Sequence, residues 1–121
     1  MYRNKTIAVF GVSVDPAKYG YKIFTVLLKK GFRVYGINPK GGEVAGQPVF
    51  ARLADVPTHA DVAIMVIPPS ALVPAVQQCI DAGVKEIWFQ PGAQSDDAYD
   101  LAETAGIMAV NSCFMADNGL W

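Results

Sequence analysis

Apolar positions along this chain come in two alternating kinds of run. The first kind is short and nearly continuous: Ile7-Ala8-Val9-Phe10, Phe32 to Ile37, Asp61 to Ile67, Val84 to Phe89 and Ile107 to Val110. Runs of this length, rich in β-branched and aromatic residues and bounded by Gly, Pro or Asn, predict buried strands. The second kind is spaced as on a helix face. Ile23, Phe24, Val26, Leu27 and Leu28 make one such stripe, with Lys22, Lys29 and Lys30 towards solvent, and Leu72, Val73, Val76 and Ile80 make another. A third helix follows the start signal Ser95-Asp96-Asp97, where a capping hydroxyl and two carboxylates suit the positive end of a helix.

The punctuation between these runs fixes the order. Gly11 ends the first strand, and Pro16 and Gly20 keep Val12 to Tyr19 from being helical throughout, so the first helix is expected beyond them. Gly31, Gly83 and Gly106 stop the three helices, and Ser70 is expected to cap the second. Pro39, Gly41, Gly42, Gly46 and Pro48 leave no room for a helix between Asn38 and Val49, so that crossover is expected to be a loop, with Val49-Phe50 a stub of strand and Leu53 to Pro57 a turn. Strand, helix, strand in about 30 residues is a right-handed βαβ unit. The fold expected is α/β: a doubly wound, mostly parallel, Rossmann-like sheet of about five or six strands with helices on both faces, a single domain over residues 1–121.

In such a sheet, ligands bind at the carboxyl ends of the strands. Those ends are Gly11-Val12-Ser13, Asn38-Pro39-Lys40, Pro68-Pro69-Ser70, Gln90-Pro91-Gly92 and Asn111-Ser112-Cys113. The first departs from the dinucleotide fingerprint G-x-G-x-x-G, because Ser13 stands where the second glycine would be. A serine there offers a hydroxyl beside its N–H for a phosphate or ribose, or simply caps local backbone. The second lacks the acidic residue with which an NAD site holds the adenosine ribose; Lys40 stands there instead, a cation suited to an additional phosphate on that ribose, which NADP and coenzyme A both carry. Lys18 adds charge to the first loop.

A net charge of −1 argues against a general nucleic-acid binder, which needs a basic face to replace phosphate counterions. The longest apolar stretch, Val62 to Pro69, is far short of the roughly 20 residues that span a bilayer. Met1 to Thr6 carries no apolar export signal, and Cys79 and Cys113 fall on different elements without disulfide or zinc spacing, so a reduced, cytoplasmic setting is expected. His59, the single histidine, precedes the central strand at the end of the sheet away from the rim. No Ser-His-Asp set, carboxylate pair or metal-ligand cluster can be assembled on the rim; Asp96 and Asp97 serve to start a helix.

Taken in order, Gly11-Val12-Ser13, Lys18-Tyr19-Gly20, Gly36-Ile37-Asn38-Pro39-Lys40, Val66-Ile67-Pro68-Pro69, Ile87-Trp88-Phe89-Gln90-Pro91-Gly92-Ala93 and Asn111-Ser112-Cys113 resemble the CoA-binding Rossmann-like domain, known as a small stand-alone bacterial protein and as the amino-terminal domain of the succinyl-CoA synthetase alpha subunit. The resemblance covers nearly the whole chain. It implies that coenzyme A or an acyl-CoA lies across the strand ends, with the first loop on the phosphates, Lys40 near the nucleotide, and Ile67, Pro68, Pro69, Phe89, Gln90, Pro91 and Gly92 along the ligand. The synthetase's phosphohistidine domain and nucleotide-binding subunit have no counterpart in this sequence. The expectation is therefore a non-catalytic carrier, sensor or regulatory module for CoA, without metal. The alternatives are a small NADP-binding oxidoreductase and a partner-stabilising domain with a vestigial site.

Overall fold

The computed structural model describes residues 2–121. Its elements are β1 (Thr6–Phe10), α1 (Tyr19–Lys29), β2 (Arg33–Ile37), β3 (Glu43–Val44), β4 (Gln47–Phe50), β5 (Val62–Met65), α2 (Leu72–Ala82), β6 (Glu86–Phe89), α3 (Asp96–Thr104), β7 (Met108–Asn111) and α4 (Phe114–Asp117). The sheet runs β3-β4-β2-β1-β5-β6-β7. Six strands are parallel to one another and β3 alone is antiparallel, paired to β4 as a hairpin. The chain moves outward from β1 to β2, then returns across it to β5, so β1 and β5 flank the point where the winding reverses. Register keeps the strand ends flush there: Phe10 lies opposite both Ile37 and Met65, and Met65 opposite Phe89.

Side chains alternate across the strands and divide the core in two. Ile7 and Val9 pack with Ile23, Phe24 and Leu27 of α1 and Phe114 and Met115 of α4. Ala8 and Phe10 face the other way, towards Leu72, Ala75, Val76 and Cys79 of α2 and Ala98 and Ala102 of α3. With both faces covered, every residue of β1 and β5 is buried, which is why these segments are apolar throughout rather than alternating.

Three local expectations change. Helix α1 begins at Tyr19, not beyond Gly20. Gly20 sits inside its first turn because a Cβ there would lie 1.9 Å from the Gly11 carbonyl oxygen; the glycine lets helix and strand-end loop touch backbone to backbone. Ser70 does not cap α2. Pro68-Pro69 start a 3-10 turn over Pro69–Ala71, and Ala71 becomes the cap residue with no side-chain bond. That turn sets the phase of α2, so the buried stripe is Leu72, Ala75, Val76 and Cys79, and Val73 is exposed. The Ser95 cap does form, its hydroxyl accepting from the Ala98 N–H at 3.3 Å.

Candidate functional site

The loops after β1, β2, β5, β6 and β7 open along one end of the sheet. Gly11 leaves β1 at φ +100°, and an added Cβ would meet the Val66 carbonyl oxygen at 2.2 Å, so the β1 and β5 loops approach as closely as backbone allows. The N–H groups of Gly11 and Val12 both donate to the Ile37 carbonyl, at 2.9 and 3.4 Å. The Asn38 side chain joins the same loops: its Nδ2 donates to the Val12 carbonyl and its Oδ1 accepts from the Lys40 N–H, each at 2.9 Å. Asn38 therefore braces the rim. Val12 is buried against Gly36, where any Cβ would strike it at 2.9 Å.

Donors suited to an anion lie slightly further along. Ser13 Oγ accepts from the Asp15 N–H at 3.0 Å, and Asp15 Oδ1 from the Ala17 N–H at 2.9 Å, which folds the loop on itself while leaving the Ser13 hydroxyl proton to give. Helix α1 follows, its cap residue Lys18 making no side-chain cap bond. Its first turn points uncapped N–H groups and the positive end of the helix dipole out of the rim. Lys18 and Lys40 are exposed, and neither belongs to an ion pair among the described residues.

Two clefts share Val66. The larger, about 420 Å³, is lined by Gly11, Asn38, Pro39, Ile67 and Pro68, with Ala71, Pro74 and Gln78 of the α2 side forming its far wall. The smaller, about 250 Å³, is lined by Tyr19, Gln90, Pro91, Cys113 and Trp121 with Val66. Gly11, Tyr19, Asn38, Pro39, Ile67, Pro68, Gln90 and Pro91 of the residues singled out in the sequence line these clefts, whereas Val12, Ser13, Lys18, Gly20 and Lys40 do not. Pro69 and Gly92 are exposed on the loops beside the clefts, whereas Phe89 is fully buried against Tyr99 in the core and shapes the site only from beneath. Sequence reasoning did not assign Val66, Pro74, Gln78 or Trp121 to the rim. Val66 follows an unbroken apolar run, and Trp121 ends the chain beyond any periodic element; only the structure sets its ring 6.5 Å from that of Tyr19.

The opposite end of the sheet carries the other polar side chains of note. Asp61 Oδ2 accepts from the Thr6 N–H at 2.9 Å, and His59 stands 3.7 Å from Asp61 Oδ1. Glu86 accepts from both the Tyr2 hydroxyl and the Trp88 indole N–H. Burial, then the hydrogen bond to the Glu86 carboxylate, pushes the Tyr2 hydroxyl up to about 12. Burial alone pushes the Cys79 thiol up to about 12. Cys113 is therefore the thiol that solvent can reach. Among the described residues no group of three or more His, Cys, Asp or Glu is placed to hold a metal ion, and no helix is long and apolar enough to cross a membrane.

A family model described as a CoA binding domain matches residues 5–119. The acetate–CoA ligase (ADP-forming) I of Archaeoglobus fulgidus is 29% identical over 120 residues, covering 91% of this chain but 18% of the ligase, so the chain spans under a fifth of that relative. A conserved hypothetical protein from Pyrococcus furiosus superposes with a TM-score of 0.86 at 36% identity, covering 93% of this chain and 98% of its own. A hypothetical protein from Pyrococcus horikoshii reaches a TM-score of 0.91 at 32% identity, over 97% of this chain and 83% of its own.

Proposed function

The chain belongs to the CoA-binding domain family, and from that premise we propose that it holds coenzyme A across the carboxyl ends of its strands and presents it without itself transforming it. The observation that carries this reading is the pair of clefts that share Val66, one lined by Asn38 and Pro39 after β2, the other by Cys113 after β7 and by Tyr19 at the uncapped start of α1. The 3′-phosphate and adenosine lie by Lys40, the pyrophosphate meets the first turn of α1 with Ser13 and Lys18, and the pantetheine arm runs on past Val66 and Gln90. Charge supports this order, because an anion is favoured at a helix amino terminus and beside unpaired lysines.

The non-catalytic part of the proposal rests on where the acid–base groups are. His59, Asp61 and Glu86 sit at the far end of the sheet and are engaged with partners of the protein's own. A role as carrier, sensor or regulatory subunit for a separate CoA-dependent enzyme fits a ligand cradle in which the Asp15 carboxylate of the first loop is turned onto the Ala17 N–H. Calorimetric titration of the purified protein with CoA, acetyl-CoA, NADP and NAD tests the ligand. CoA is expected to bind at one site per chain and NAD not at all; binding of NADP without binding of CoA would contradict the proposal.

A further inference from the structure

We infer that the smaller cleft, roofed by Tyr19 and Trp121, receives the acyl group of a short apolar acyl-CoA, so that this chain distinguishes acylated from free CoA. The inference rests on the reading that CoA lies across the strand ends. With the nucleotide by Lys40 and the phosphates at α1, an arm that runs on towards β6 and β7 brings its sulfur end to the cleft lined by Val66, Gln90 and Cys113.

The walls of that cleft suit carbon rather than charge. Tyr19, Val66, Pro91 and Trp121 supply apolar surface, and no ionised side chain lines it. Tyr19 and Trp121 line it while 65% and 55% exposed, with their rings 6.5 Å apart and the Lys22 ammonium 5.7 Å from the Tyr19 ring, so aromatic area is left at the cleft for an apolar group to cover. The polar floor is already satisfied from within. Gln90, 5% exposed, accepts from the Phe114 N–H through Oε1 at 2.8 Å, which fixes its amide so that Nε2 donates to Cys113 Sγ at 3.3 Å. The Ala116 N–H also donates to that sulfur, at 3.4 Å. With the sulfur accepting twice, what Cys113 has left to offer is its S–H proton. A thioester carbonyl oxygen can take that bond; a free CoA thiol presents no such oxygen. A volume of about 250 Å³ holds roughly eight non-hydrogen atoms if each takes the space of a water. That is the end of the arm with a short acyl group, and not a long chain.

The test is calorimetry with CoA, acetyl-, butyryl- and octanoyl-CoA on the wild type and on Trp121→Ala. Butyryl-CoA should bind more tightly than acetyl-CoA by up to about fourfold for each added methylene buried, the gain should stop before octanoyl-CoA, and Trp121→Ala should lower butyryl-CoA affinity by more than it lowers CoA affinity, so that the acyl preference is lost. Trp121 emission should shift with butyryl-CoA, against the constant background of buried Trp88. Cys113→Ala should narrow the preference for acetyl-CoA over CoA, and Cys113→Ser, which keeps a donor, should restore part of it. Equal wild-type affinity for CoA and butyryl-CoA would overturn the acyl assignment and leave CoA binding standing. Failure of every CoA species to bind would remove the reading beneath it as well.

Discussion

The two ends of the sheet use their polar groups oppositely. At the amino end, Glu86 is shared between Tyr2 and Trp88, and Asp61 holds the Thr6 backbone. Each carboxylate there closes a gap between elements far apart in sequence, as Tyr2 and Glu86 are. At the carboxyl end, hydrogen bonds run mostly within or between neighbouring loops, as in the Ser13 to Asp15 turn and the Asn38 brace, and the cations stay free. Buried polar groups without partners are costly, so an end that satisfies its own groups contributes to stability. An end that leaves donors facing solvent stores binding capacity instead. One fold thus separates what holds it together from what it offers to a ligand.

Substitutions should break the two ends in different ways. The largest effect is expected where the separation fails, at Gly11, whose positive φ and 2.2 Å approach to Val66 belong to backbone and rim alike. Gly11→Ala should lose about 3 kcal/mol of stability in urea unfolding and CoA binding with it. Glu86→Ala should cost about 1–3 kcal/mol by leaving the half-buried Tyr2 hydroxyl and the buried Trp88 indole N–H unpaired, while calorimetry finds CoA affinity within about twofold of wild type. Lys40→Glu should do the reverse: an unchanged unfolding midpoint and CoA affinity lowered by about tenfold, or 1.4 kcal/mol. The loss should be smaller for dephospho-CoA, which lacks the 3′-phosphate, and should shrink with added salt as exposed charges are screened.

The smallest effect sharpens the amino end alone. The Tyr2 hydroxyl, normally near 10, is raised to about 12 in the folded chain, so the native state holds that proton more tightly than the unfolded one. Its contribution is therefore complete below pH 10 and is lost as pH rises towards about 12. Melting curves of wild type and Tyr2→Phe should converge or cross over that interval and run parallel below it; a constant difference throughout would remove the Tyr2–Glu86 bond from the account of stability.

How much of this was legible in the sequence depends on whether a feature is periodic. The buried strands, α1 and the Ser95 cap follow from apolar spacing and capping chemistry, and the six parallel strands are those the alternation implies. The β3–β4 hairpin is not, because its two-residue strand has no period. Its turn, Ala45-Gly46, puts both residues at positive φ, a job usually announced by Asn-Gly, and alanine hides it. The phase of α2 at Val73 is not legible because a 3-10 turn precedes the helix, and local spacing cannot show where such a turn hands over to a helix. At the rim, loop residues such as Gly11, Asn38 and Pro68 announce themselves by type. Trp121 does not, since its place depends on a contact with Tyr19 across the whole chain.

The division between the two ends is tested most directly by following backbone amide resonances of the protein as CoA is added. The account predicts that shifts gather at Ser13, at Tyr19 to Tyr21, at Asn38 and Lys40, at Ile67 and at Gln90 and Cys113, while Thr6, Asp61 and Glu86 stay where they are. Shifts centred on His59, Asp61 and Glu86, with the α1 amino terminus unmoved, would contradict it.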